Sequence, residues 1–171
     1  DIIFGLAPRI NAAGRIDHGK KAVEVLISSN LYHAEKLSDE IEGYNKYRKE
    51  LDSETTFQAL KQVDPMRKST IVYHADWHKG VIGIVASRLI EKHYKPTIVF
   101  AEKEGQLIGS ARSVKGFDIY EALLKCEYLL EKFGGHKYAA GLTIQKKHLK
   151  RFKEEFEKTV NELITKDQLK P

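Results

Sequence analysis

Four short stretches of this chain gather residue types that could do chemistry. In Phe133-Gly134-Gly135-His136-Lys137-Tyr138-Ala139-Ala140-Gly141, glycines strip the backbone bare and expose its N–H groups, while His136 projects a donor or proton carrier over that surface. Pockets for phosphate or nucleotide groups are commonly built this way; an ordinary turn before a strand is the alternative. In Gly109-Ser110-Ala111-Arg112-Ser113, two hydroxyls flank an arginine, with a further glycine at Gly116. That set can surround a phosphate with charge-assisted hydrogen bonds; an exposed arginine at a strand end is the competing reading.

The third stretch, Trp77-His78-Lys79-Gly80-Val81-Ile82-Gly83, leads from an expected strand into an expected helix. Free N–H groups at a helix start attract anions and Lys79 adds charge, so His78 and Gly80 join the candidates; a βα turn that needs glycine for its geometry would read the same. The fourth, Pro8-Arg9-Ile10-Asn11-Ala12-Ala13-Gly14-Arg15, reads as a second glycine-containing loop offering Arg9, Asn11 and Arg15 as donors, or as a structural anchor for a neighbouring helix. His74, Asp76 and His78 alternate and would suit a metal if they shared a strand face, although no fourth ligand is evident. No dense carboxylate and histidine cluster, serine triad or exposed cysteine accompanies these elements, so the chain reads as binding elements without a catalytic engine.

The elements that must position these residues follow from periodicity. A helix is expected from an Asp17 cap to Ile27, with Ala22, Val23, Leu26 and Ile27 on one face. A much longer one follows from Leu31 to about Val63, about 48 Å at 1.5 Å per residue and heavily charged between its apolar positions. Such a helix suits a strut between two domains, with Gly43 as a weak point and Asp64-Pro65 as its stop. Beyond it, strands are expected at Thr70–His74 and Thr97–Ala101, a hairpin through Glu104-Gly105 into Gln106–Ala111, and a strand at Ala139–Ile144. Helices are expected at Gly80–Tyr94, from Asp118 to about Lys132, and at Leu149–Leu163. The order βαββαβα makes residues 67–171 a compact α/β domain with a mixed sheet, preceded by a helical linker at 17–66.

Composition sets the outer bounds. At 171 residues, with 42% hydrophobic and 31% charged residues, the chain has material for one folded domain and an appendage. No apolar run reaches the roughly 20 residues of a membrane span, and the chain reads as cytoplasmic. The single cysteine, Cys126, excludes an internal disulfide or a thiolate zinc cluster and reads as a core residue. A net charge of +5 mildly favours an anionic partner. The apolar opening at Asp1-Ile2-Ile3 reads as the middle of a larger protein.

Taken together, the motifs resemble the RecJ family of single-strand-specific DNA exonucleases within the DHH phosphoesterase superfamily. Gly5 to Arg15 is similar to the motif that closes that family's catalytic DHH domain, which makes 1–16 its expected end; Trp77 to Ala86, Gly109 to Ser113 and Gly134 to Gly141 resemble its DHHA1 domain in order and spacing. The resemblance implies a 5′-to-3′ single-stranded DNA exonuclease of recombination and repair. Two divalent metals, manganese or magnesium, are held by the DHH domain, and DHHA1 faces them across a cleft. It further implies that Ser110 and Arg112, with Ser113, grip a 5′-terminal phosphate, that His136 contacts the scissile region through Gly134 and Gly135, and that Arg9, Asn11 and Arg15 line the DNA path. Since the metal-ligand motifs are absent, this region is expected to bind and not to cut, with an oligonucleotide-binding domain downstream and single-stranded DNA-binding protein as a partner. Two alternatives stay open: a nanoRNase-type phosphodiesterase of short oligonucleotides, and a non-catalytic module that docks nucleic acid or a protein.

Overall fold

Pro8 stands in the first turn of helix α1 (Ala7–Ile16), where a missing N–H costs no intrahelical bond, and a π-helical turn at Ile2–Leu6 leads into it. The computed structural model describes residues 2–17 and 19–171. These divide into two units, residues 1–54 and 55–171. In the first, small side chains let helices approach closely: Ala13 of α1, Ala22 of α2 (Lys20–Ile27) and Ile41 of α3 (Leu31–Leu60) are buried together, with Ile10, Val25 and Tyr44 packed against them. Asn30 caps α3, its Oδ1 accepting the His33 N–H at 3.1 Å. A polar knot closes the unit: Lys21 donates to the Tyr44 hydroxyl at 2.6 Å and pairs with Glu40 at 3.1 Å, and the Tyr44 hydroxyl donates to Asp17 at 2.9 Å. The Tyr44 bond first, and Glu40 next, hold the Lys21 ammonium above the usual lysine range.

Two expectations are corrected here. Arg9, Asn11 and Arg15 ride on α1 and not on a loop, because the Ala12-Ala13 pair is buried and favours helix on both sides of it. Asp17 does not cap a helix, since α2 starts at Lys20 and the Asp17 carboxylate is taken by Tyr44.

The second unit is a sheet of five strands in the order β1-β2-β3-β5-β4: β1 (Thr70–His74), β2 (Thr97–Lys103), β3 (Gln106–Arg112), β4 (Lys132–His136) and β5 (Ala139–Gln145). The β1–β2 pair is parallel and the others antiparallel, as expected of a mixed sheet in an α/β domain. The Glu104-Gly105 turn has φ of 53° and 78°, the left-handed pair that a two-residue hairpin requires. Helix α4 (Ile82–His93) covers one sheet face, while α5 (Ile119–Leu124) and α6 (Leu149–Leu163) cover the other. There Ile98, Phe100, Leu107, Leu142 and Ile144 of the sheet meet Leu123, Phe152 and Phe156, and Cys126 is buried beside them, as expected.

The helix expected from Asp118 to Lys132 is the largest difference. Asp118 does cap it, accepting the Tyr120 and Glu121 N–H groups at 3.0 Å, but α5 ends at Leu124 and a 3-10 turn follows at Glu127–Leu129. Lys132–His136 is then strand β4, making the order βαββαββα. Glycines at 134 and 135 disfavour helix, and Phe133 pins the strand by packing at the core's edge, its ring 5.4 Å from that of Tyr120. The turn is Lys137-Tyr138, not Gly134-Gly135.

Candidate phosphate-binding surface on the sheet

Directly paired residues share a sheet face, so register assembles the site. One row reads Val99, Ser110, Gly141, Gly134 across β2, β3, β5 and β4, and the next reads Thr97, Arg112, Ala139, His136. Four sequence candidates, Ser110, Arg112, Gly134 and His136, therefore lie on one face. Helix α4 packs over part of that face through β2 and β3, with Val81, Val85, Ala86 and Leu89 buried. Across β5 and β4 the face is floored by Ala139, Gly141 and Gly134, and a Cβ added at either glycine would meet nothing within 4 Å among the described residues.

Ser110 and Arg112 stand at the border between the covered and bare halves. The Arg112 Nη1 donates to the Ser110 hydroxyl at 3.0 Å and to the Ala111 carbonyl at 2.8 Å, which holds the guanidinium over the sheet. The first turn of α4 abuts them: a Cβ on Gly83 would lie 2.9 Å from Arg112 Nη2 and 3.1 Å from Ser110 Oγ. Gly83 is thus the residue that admits the pair beside the helix start, where backbone N–H groups lack intrahelical acceptors. Sequence reading placed Gly83 in the stretch but gave it no role; the available signal was a glycine interrupting the apolar run Val81-Ile82-Gly83-Ile84-Val85.

Three histidines share one local device. The His136 Nδ1 accepts the Tyr138 N–H at 3.3 Å and the His78 Nδ1 accepts the Gly80 N–H at 3.0 Å. In a neutral ring each is left with its proton on Nε2, so His136 offers a donor at the exposed end of β4. His74 uses its Nδ1 in the same way toward the Asp76 N–H, at 3.2 Å. The alternation expected of His74, Asp76 and His78 fails because β1 ends at His74 and the chain turns. Among the described residues no three His, Cys, Asp or Glu side chains come together as a metal site requires.

The remaining candidates have other attachments. Ser113 donates its hydroxyl to the Phe117 carbonyl at 2.8 Å and its N–H to the Tyr138 carbonyl at 3.0 Å, tying the end of β3 to the β4–β5 turn. Gly109 points into the core, where a Cβ would lie 2.5 Å from the Phe100 ring, and Gly116 makes a turn at φ 84° beside Gln168. Gly135 has φ 149° and sits against the Ala139 carbonyl, leaving no space for a side chain. Trp77 anchors the loop before α4, its indole N–H donating to Gln58 at 2.8 Å. In the first unit, Arg9 pairs with Glu42 of α3 and donates to the Gly5 carbonyl, while Asn11 and Arg15 are exposed on α1.

Against known proteins, the DHHA1 domain family matches residues 67–163. The chain is 37% identical to the single-stranded-DNA-specific exonuclease RecJ of Bacillus subtilis over 98% of its own length and 22% of that protein's. The RecJ of Escherichia coli is 36% identical, with 96% of this chain and 30% of that protein aligned. The crystal structure of Thermus thermophilus RecJ in complex with Mg2+ superposes with a TM-score of 0.88 at 34% identity, over 95% of this chain and 26% of that one. The chain spans between 22% and 32% of the length of the curated relatives it matches.

Proposed function

This chain belongs to the DHHA1 domain family and falls with the RecJ members of it, and from that premise we propose that its parent protein is a RecJ-like, metal-dependent 5′-to-3′ exonuclease of single-stranded DNA. Its DHHA1 domain, residues 67–171, forms the wall that holds the strand. The observation that carries this reading is the placement of Ser110, Arg112, Gly134 and His136 on one half-bare sheet face.

Arg112 supplies a permanent charge and a planar fork of donors, and Ser110 both orients that fork and adds a hydroxyl toward a terminal 5′-phosphate. The start of α4 adds N–H groups on the same side, with Lys79 and the His78 loop next to it in sequence. The floor of Gly134, Ala139 and Gly141 lets a sugar-phosphate backbone lie close to the sheet, and His136 Nε2–H faces the neighbouring phosphodiester. Ser113 acts by holding the β4–β5 turn and not by touching phosphate. Arg9, Asn11 and Arg15 line the strand's path in the parent, Arg9 doing so while tied to Glu42.

Hydrolysis through two divalent cations belongs to the DHH part of the parent. The residues described here do not fit a metal centre, and no step through a metal is assigned to them. The region alone binds without cutting; nuclease activity under manganese that survived repurification would overturn this. Single-stranded DNA-binding protein is a partner, and the compartment is the cytoplasm. No described helix is long and apolar enough to cross a membrane.

The test is binding of fluorescent oligo-dT with and without a 5′-phosphate across a salt series, to wild type and Arg112→Ala. The expected result is tighter binding of the phosphorylated strand, lost in the variant, with affinity falling by about 0.7 log units per phosphate contact for each log unit of salt. Equal binding of both strands by both proteins would rule out a 5′-end pocket here.

A further inference from the structure

Strand β1 is an edge of the sheet, and its free side is matched in two places. The Thr70 N–H donates to the Pro96 carbonyl, toward β2, so by alternation Ile71 and Tyr73 direct their backbone groups away from the sheet. At Tyr73 both groups are taken by one side chain: Gln62 accepts the N–H at 3.1 Å and donates to the C=O at 3.0 Å. At the other end Glu157 of α6 accepts the Lys68 and Ser69 N–H groups at 2.8 and 2.9 Å, together with the Ser69 hydroxyl. Between these clamps lies Ile71, facing a cleft of about 180 Å³ lined also by Gln62, Asp64, Arg67, Thr70 and Lys153.

The polar groups of this cleft are poorly matched. Among the described residues no carboxylate pairs with the Lys153 ammonium, and burial, then the charge of Arg67, pushes it below the usual lysine range. Arg67 reaches Asp64 and Glu154 only at 3.7 and 3.8 Å, and Asp64 also accepts the Met66 N–H. Thr70, which lines the cleft, has a buried hydroxyl with no hydrogen-bond partner among the described residues. Arg67 also donates to the Lys153 carbonyl at 3.5 Å, so the cation of this crevice without a carboxylate among the described residues is Lys153, beside the outward-facing edge of β1. Glu157, on the same helix as Lys153, is committed to the backbone and to Asn161.

We propose that this cleft binds a phosphate group, held by Lys153, Arg67 and the Ile71 N–H. A phosphate of a nucleic-acid strand and free phosphate offer the same chemistry to this cleft.

The test follows the Ile71 amide and the Lys153 side chain by NMR in the 171-residue chain. Inorganic phosphate is titrated against chloride of equal ionic strength, and oligo-dT without a 5′-phosphate forms a separate arm. The expected result is a saturable shift at Ile71, weakened at least tenfold in Lys153→Gln, restored in Lys153→Arg and retained in Arg112→Ala. Saturation at lower concentration by oligo-dT assigns the site to the strand backbone, and saturation by inorganic phosphate alone assigns it to free phosphate. An Ile71 shift reproduced by chloride, equal in Lys153→Gln, or absent in both arms overturns the proposal. The remaining amide spectrum reports whether each variant is folded.

Discussion

Gly109 and Gly134 belong to the same sheet, and they are glycines for opposite reasons. At Gly109 a Cβ would run into Phe100 at 2.5 Å and Leu142 at 2.8 Å, so the missing side chain is what lets β2, β3 and β5 close over the core. At Gly134 a Cβ would meet nothing within 4 Å of described atoms, on the half of the opposite face that α4 leaves bare. One absence serves packing and the other serves access. Gly83 stands between them: its contacts are the ends of Arg112 and Ser110, flexible groups of the site itself.

That contrast breaks or holds under substitution. Gly109→Ala should be the most damaging, since ring and branched side chain cannot both retreat; overpacking of this kind costs about 1–3 kcal/mol. Each kcal/mol should lower the melting temperature by about 2–4 °C in a chain of this size. Gly83→Ala should leave the melting temperature unchanged or raised, because alanine favours helix over glycine. It should nonetheless weaken 5′-phosphate-dependent binding about tenfold, or about 1.4 kcal/mol, by pushing the guanidinium off its seat. Gly134→Val should keep its melting temperature and lose roughly threefold in affinity for single strands. A Gly134→Val protein that melts as early as Gly109→Ala would erase the distinction.

The smallest expected effect lies at the far end of the sheet. Glu102 accepts from the Tyr73 hydroxyl and pairs with Lys146 at 2.9 Å, and these two, Tyr73 first, hold its carboxyl below the usual range. A carboxyl depressed on folding stabilises above its unfolded pKa and ceases to do so as pH falls through the folded value. Glu102→Gln should therefore lower the melting temperature slightly at neutral pH and converge with wild type in acid, as read from melting curves across pH.

Much of the sheet domain was legible in the sequence because its strands carry their own signal. Thr70-Ile71-Val72-Tyr73-His74 is β-branched and aromatic, and Glu104-Gly105 has hairpin chemistry. Strand β4 was not legible: Lys132-Phe133-Gly134-Gly135-His136 has almost no strand propensity and is a strand only because β5 pairs with it. Helix α1 was missed for a related reason, its proline, asparagine and glycine resembling a loop while Ala12 and Ala13 find burial that no local rule announces. In the site, the spacing of Ser110 and Arg112 by two residues on a strand already implied a shared face. The importance of Gly83 did not follow, because it is set by side chains on a strand far along the chain.

Trp77 is the only tryptophan, 5% exposed, and its indole N–H is bonded to Gln58 near the end of α3. The chain therefore carries a built-in optical gauge at one joint, where the last turns of α3 meet the loop that opens α4. Its emission reports the seating of those turns directly: a red shift that precedes the loss of sheet circular dichroism on heating would mark the helix end as the first part of the domain to let go.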